Sequence, residues 1–201
     1  MSGLTLAQRV EAIDAALADS PHAFGGALAL AYYAEPRSTI DIDVNVFIPA
    51  ERFAEVAGPL VRLGAAADDP AVAELVRRDG QARVMWDDTP IDLFFSVLPF
   101  HDEVERNVRH VSFGDRTIPV LDCTGLAVFK AMFARSRDWV DIEAMVEARS
   151  LDVDEAIRWT REMVGEDERV AKLAALRDDR RSQGEPPPLR PAARPPEDES
   201  G

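Results

Sequence analysis

Asp41 and Asp43 are separated by one residue within Ile40 to Ile48, a stretch whose apolar residues alternate with polar ones. That period belongs to a strand, so both carboxylates project from the same face of a sheet. Like charges held side by side raise each other's pKa and cost stability unless a cation lies between them. An Asp-x-Asp on an apolar strand therefore points to a divalent metal ion; the other reading is a solvated strand face beside a turn. Asp92 interrupts a second apolar run, Ile91-Asp92-Leu93-Phe94-Phe95, where an unpaired carboxylate is expensive to bury. If that run lies beside Ile40 to Ile48, Asp41, Asp43 and Asp92 converge. Three such carboxylates hold two Mg²⁺ ions about 3.5 to 4 Å apart in sites that transfer phosphoryl groups.

Two further features suit an anionic substrate. Gly25-Gly26 precede an Ala/Leu-rich stretch that Pro36 ends. A glycine pair before a helix leaves N–H groups free and admits a phosphate that a Cβ would exclude, although plain turns use glycines too. Lys130 shares a helix face with Leu126 and Phe133. An ammonium on an apolar stripe either meets an anion or snorkels to water; without nucleotide, its expected partner is Asp92 or Asp43. Asp138 and Asp141 fit a helix N-terminal charge pair.

Phe24-Gly25-Gly26, Arg37-Ser38-Thr39-Ile40-Asp41-Ile42-Asp43 and Ile91-Asp92-Leu93 together resemble the signature of the nucleotidyltransferase superfamily with the DNA polymerase β fold. Within it the chain is most similar, from about Ser20 to Ala148, to minimal nucleotidyltransferases of the AbiEii toxin type. In that group the downstream helices carry a Lys, then a Lys-Asp and another Asp. Here those positions read Lys130, Arg137-Asp138 and Asp141, with arginine replacing the second lysine. The resemblance implies transfer of a nucleoside monophosphate from an NTP to an acceptor hydroxyl, dependent on Mg²⁺ or Mn²⁺. Asp41 and Asp43 would hold both ions, and Asp92 the ion that activates the acceptor, whose proton it could take. Gly25, Gly26 and Ser38 would cradle the triphosphate, while Arg37 and Lys130 neutralise its charge. It further implies a toxin, balanced by an antitoxin protein, that acts on tRNA; an aminoglycoside, another small molecule or a protein fits the same donor site. The alternative is a non-catalytic nucleotide- or partner-binding module that keeps the fold.

These residues must be positioned by an α+β architecture, a mixed sheet flanked by helices and followed by a helical C-terminal half. Thr5 and Gln8 form a capping box for a helix running to about Ala18. Ala23 to Gly26 reads as a strand or turn before a helix that ends near Ala34, and Ala50 to Leu63 as a helix. Arg83 to Trp86 and Ile91 to Leu98 read as strands around Asp87-Asp88, and Val111 to Leu121 as a pair around Gly114-Asp115. Thr124 to Arg135, Trp139 to Ala148 and Val153 to Arg181 follow as helices. The expected division is an α/β core over 1–122, a helical part packed on it over 123–181, and a disordered tail over 182–201, which holds six of the 14 prolines.

The composition limits the partners. The chain has 201 residues, 46% of them hydrophobic, enough for one domain and against disorder of the whole chain. A net charge of −14 opposes a general nucleic-acid coat or a polybasic membrane binder, so a polyanion must be met locally. A single cysteine, Cys123, excludes an intramolecular disulfide and a thiolate zinc cluster. Lacking an apolar run of the roughly 18 residues a membrane span needs, and a leader pattern at the start, the chain is expected to be cytoplasmic, with no membrane partner. There is no Gly-x-Ser-x-Gly elbow and no P-loop, and His22, His101 and His110 fit no zinc spacing. Phe94, Phe95, Phe100, Phe129 and Phe133 fall at core spacing and are expected to pack rather than stack on bases.

Overall fold

The strands are β1 (His22–Phe24), β2 (Ile42–Pro49), β3 (Gln81–Trp86), β4 (Thr89–Ser96), β5 (Arg109–Phe113) and β6 (Arg116–Val120). In the computed structural model, which describes residues 4–182, they form one mixed sheet in the order β3-β4-β2-β1-β6-β5. β2 and β4 run parallel, β1 is antiparallel to β2 and parallel to β6, and the hairpins β3–β4 and β5–β6 are antiparallel. Asp87 and Gly114, at φ 53° and 57°, make the two hairpin turns in the left-handed region that such turns demand.

The helices are α1 (Leu6–Ala16), α2 (Gly26–Leu30), α3 (Ala54–Leu63), α4 (Pro70–Asp79), α5 (Phe100–Arg106), α6 (Cys123–Phe133), α7 (Ser136–Glu147), α8 (Val153–Val164) and α9 (Glu168–Ser182). Thr5 and Gln8 form the expected capping box of α1. The single long helix expected from Val153 to Arg181 is two. Gly165 leaves the helix at φ 72°, and the Asp167 side chain then accepts from the backbone N–H groups of Arg169 and Val170 to start α9. α4 and α5 match no expected element. α4 is nonetheless well punctuated, with Asp69 capping Ala71, Pro70 at its first turn and left-handed Gly80 at its end. The tail from 183 onward lies outside the described residues.

The strand expected to start at Ile40 starts at Ile42. Thr39 Oγ1 accepts from the Asp41 N–H and donates to the Asp41 carbonyl, both at 3.2 Å, and this local turn takes the backbone groups a ladder would need. Ile40 is consequently 71% exposed and Asp41 stands just ahead of β2.

One sheet face is apolar: Ile42, Val44 and Val46 stand opposite Ile91, Leu93 and Phe95, all buried. Each such side chain contributes about 1.5 to 3 kcal/mol. Phe95 meets Phe53, at the start of α3, edge to face at 5.8 Å. The alternate residues of β2 and β4 point to the other face, where α6 lies and Phe133 packs against Phe94 at 5.7 Å. The two helices α6 and α7 follow Asp122, whose carboxylate caps the first turn of α6.

Candidate active site

Strand register sets two rows of side chains on the α6 face. Arg83 of β3, Asp92 of β4 and Asp43 of β2 form the first; Gln81, Phe94 and Asn45 form the second. The sequence-derived pairing of Asp43 with Asp92 is thus direct. Asp41, one step before β2, joins the first row through Arg83, whose Nη2 lies 3.2 Å from Asp41 Oδ2 and 2.6 Å from Asp92 Oδ2. Arg83 Nε completes a fork on Asp92 Oδ1 at 2.7 Å.

Asp43 is left with repulsion. Burial, and next the Asp92 carboxylate, push it up to about 6, against the opposing pull of Lys130. Among the described residues its carboxylate has no hydrogen-bonded partner. Hard carboxylate oxygens in this density suit Mg²⁺ or Mn²⁺. As the side chains stand, however, no three His, Cys, Asp or Glu among the described residues are disposed to hold one ion. Arg83, a cation of the chain itself, lies between Asp41 and Asp92.

Gly26 stands against Asp43. Its φ is +53°, and a Cβ there would fall 1.7 Å from Asp43 Oδ2; one on Gly25 would fall 2.8 Å from Asn45 Nδ2. Glycine is thus required at both positions for the carboxylate and the amide to come this close to the β1–α2 turn. α2 has only five residues, which leaves little macrodipole behind the turn.

Lys130 is 5% exposed and does not meet Asp92 or Asp43. Its Nζ lies 2.6 Å from Asp141 Oδ2 and 3.7 Å from Asp138 Oδ1. Arg37 forks on the same Asp141, Nε to Oδ1 and Nη2 to Oδ2 both at 3.0 Å. Although burial works against it, hydrogen bonds from Arg37 and Lys130 hold the Asp141 carboxyl below its ordinary value. Asp138 is held by Arg135 at 2.7 Å and accepts from the Arg135 N–H. Both carboxylates are buried: Asp138 sits in the first turn of α7, where it accepts from the Arg135 N–H as a helix N-terminal charge does, and Asp141, one turn on, anchors the Lys130 and Arg37 cations. Arg137 and Ser38 are exposed and make no described side-chain bond.

A profile described as "Nucleotidyl transferase AbiEii toxin, Type IV TA system" matches residues 10–198. The chain belongs to this AbiEii nucleotidyltransferase family. Its fold is similar to that of the antibiotic-resistance factor ANT(2'')-Ia in solution, with a TM-score of 0.51 and 17% identity over 88% of this chain and 91% of that one. The crystal structure of ANT(2'')-Ia with adenylyl-2''-tobramycin gives a TM-score of 0.50 and 14% identity over 90% and 99% of the two chains. JHP933 from Helicobacter pylori follows at 0.45 and 14% identity over 90% and 94%. No curated protein sequence matches the chain. As an AbiEii nucleotidyltransferase the chain is an enzyme of nucleotidyl transfer, and its mixed α/β fold agrees.

Within this AbiEii member, a cavity of about 170 Å³ opens beside Asp43, between the sheet and α6. Phe94, Phe129 and Phe133 border it together with Leu126, Lys130 and Asn45. Of the five phenylalanines expected to pack, Phe95 and Phe100 are in the core, while Phe133 is 43% exposed. Arg83, Arg135 and Asn45 escaped the sequence reading. The charge on Arg83 reads as an edge-strand solvent residue until β3 is registered on β4, and Asn45 continues the Asp41-Asp43 parity that would have exposed it. No helix among the described residues is long and apolar enough to cross a membrane.

Proposed function

We propose that this enzyme moves a nucleoside monophosphate from an NTP to an acceptor hydroxyl of an RNA, tRNA in the first place, with release of pyrophosphate, as the toxin of a pair restrained by an antitoxin protein. The observation that carries the reading is Asp43 facing Asp92 on neighbouring strands, with side-chain-free Gly26 against it. A divalent ion, Mg²⁺ or Mn²⁺, supplies charge neutralisation at the transferred phosphoryl group when bound. Asp41, Asp43 and Asp92 are the residues that would hold it, in competition with Arg83. Gly25 and Gly26 let the triphosphate approach the backbone, and Ser38, exposed in the loop before β2, would meet its far end. Lys130 and Arg37, held by Asp141, contribute fixed positive charge to the same side. Asp92 takes the acceptor proton. The helical part 123–181 acts as a body that packs on the core of 1–122 and delivers Lys130 to it. The lone thiol, buried at Cys123, suits a cytoplasmic setting.

An end-on acceptor resolves the conflict between RNA and a net charge of −14, since only a terminal hydroxyl and a few phosphates need be met. The test is transfer of α-³²P label from each of the four NTPs to total tRNA with Mg²⁺ or Mn²⁺, using Asp43→Asn as control. Label on tRNA that disappears in the variant supports the reading. Label on tobramycin and none on tRNA would give this chain the acceptor seen with ANT(2'')-Ia instead.

A further inference from the structure

Asn45 is 5% exposed, yet its side-chain amide makes no hydrogen bond among the described residues. Among the described residues Thr160 Oγ1 alone is a fully buried side-chain polar atom without a partner, so the Asn45 amide keeps an open edge at which a ligand can bond it. Asn45 borders the cavity beside Asp43 and lies one strand repeat from it on the same face, about 7 Å at standard strand rise. That is room for a sugar between a phosphate at Asp43 and a ring beside Asn45.

The rest of the cavity fixes the chemistry of the ring. Phe94 and Phe129, with Leu126, make hydrocarbon walls, and Phe133 stands half-exposed at the end of α6. The volume, about 170 Å³, is comparable with the roughly 150 Å³ of an apolar cavity that admits benzene. Further polar groups border it, among them Gln81, Lys130 and His101. His101 is buried, and desolvation lowers its pKa; its Nδ1 faces the Leu98 carbonyl at 3.1 Å, which assigns the proton to Nδ1 and leaves Nε2 an acceptor. Apolar walls with the amides of Asn45 and Gln81, each of which both donates and accepts, match a heteroaromatic base with a polar edge.

We propose that this cavity is the slot for the nucleobase of the donor NTP, and that Asn45 is the residue that reads the base's polar edge. The proposal rests on the NTP-dependent reading above and adds where the base goes and what discriminates it.

The experiment is equilibrium binding of ATP, GTP, CTP, UTP and inorganic tripolyphosphate, each with Mg²⁺, to the full chain and to Asn45→Leu, which keeps the branched shape and deletes the amide. Wild type should prefer one NTP, and Asn45→Leu should flatten that preference by at least tenfold while tripolyphosphate binds unchanged. Phe133→Ala, at a position 43% exposed, should weaken every NTP three- to tenfold and again spare tripolyphosphate; it carries the test if Asn45→Leu does not fold. Equal losses for NTPs and tripolyphosphate would overturn the proposal, as would unchanged NTP preference with reduced transfer to acceptor, which would hand the cavity to the acceptor. A wild-type chain that binds tripolyphosphate and all four NTPs alike would overturn the base slot and leave nucleotidyl transfer standing. Binding of neither tripolyphosphate nor any NTP would overturn both.

Discussion

Arg83 and Asp92 stand opposite each other on β3 and β4, and the guanidinium closes on both carboxylate oxygens at 2.7 and 2.6 Å while also reaching Asp41 at 3.2 Å. The chain thus carries its own counter-ion where two acidic side chains would otherwise repel. The pair is solvent-screened, Arg83 being 54% exposed, so its stability value is small.

Arg83→Gln should accordingly change unfolding free energy by less than about 1 kcal/mol. Removing a competing cation should also tighten Mn²⁺ binding to the nucleotide-free protein three- to tenfold, read by isothermal titration calorimetry. Weaker Mn²⁺ binding would make Arg83 a support of the site rather than a competitor.

Asp43 gives a pH dependence of defined sign. Its pKa in the fold, about 6, lies above the ordinary 3.8, so folding opposes its ionisation. The cost is absent below 3.8, builds as pH rises, and is complete above about 6. At 1.36 kcal/mol per pH unit the whole effect is about 3 kcal/mol. Asp43→Asn should therefore stabilise the metal-free protein by up to that amount at pH 7.5 and by nothing at pH 3.5, in urea unfolding with EDTA. An equal gain at both pH values would remove charge repulsion as its cause.

Much of this site was legible in the sequence because strand period is a local property. The parity of Asp41 and Asp43, and the interruption of an apolar run by Asp92, place three carboxylates before any fold is known. What one strand's period cannot give is the partner across the gap. Lys130 sits on an apolar helix face that points inward, but whether it meets Asp43 or Asp141 depends on how α7 packs against α6. Arg83 needed the register of β3 against β4, whereas Asn45 shares the parity of Asp41 and Asp43 and needed only that parity carried one step further. The start of β2 was displaced by one hydroxyl, that of Thr39, competing for the backbone of Asp41. The break between α8 and α9 turned on Gly165, which a periodicity of apolar residues alone does not see.

Gly26 is the most sharply constrained position. Gly26→Ala must place a methyl within 1.7 Å of Asp43 Oδ2 at a φ of +53°, so the side chain of Asp43 has to move. The expected result is a protein that melts several degrees lower, since non-glycine strain of this kind costs about 1 to 3 kcal/mol, and that transfers label at least a hundredfold more slowly. Gly58→Ala, where the nearest atom to an added Cβ is an Arg62 nitrogen at 3.7 Å in α3, serves as the control and should be neutral or stabilising. Wild-type transfer by Gly26→Ala would dissociate the glycine turn from the chemistry.

Lys130 combines both roles in one side chain. Read from the sequence, Lys130→Met should reduce nucleotide handling and leave stability nearly unchanged. The ion cluster alters the second expectation: Nζ satisfies Asp141 at 2.6 Å and approaches Asp138 at 3.7 Å, both carboxylates being buried. Breaking a buried pair by deleting one partner costs about 3 to 5 kcal/mol. Here Asp141 keeps the fork of Arg37 and Asp138 keeps Arg135, so the expected loss is smaller, about 2 to 3 kcal/mol, or roughly 5 to 10 °C in Tm for a domain of this size. Adding Asp141→Asn should return at least about 1 kcal/mol of it, because the two side chains couple. NTP turnover should fall at least tenfold in Lys130→Met, and Lys130→Arg should restore part of the turnover by keeping the charge. A Tm unchanged in the single variant would mean the ammonium is not bonded to Asp141 in solution. A Tm that falls with turnover intact would make Lys130 a buried structural cation and leave Arg37 as the charge that faces the triphosphate.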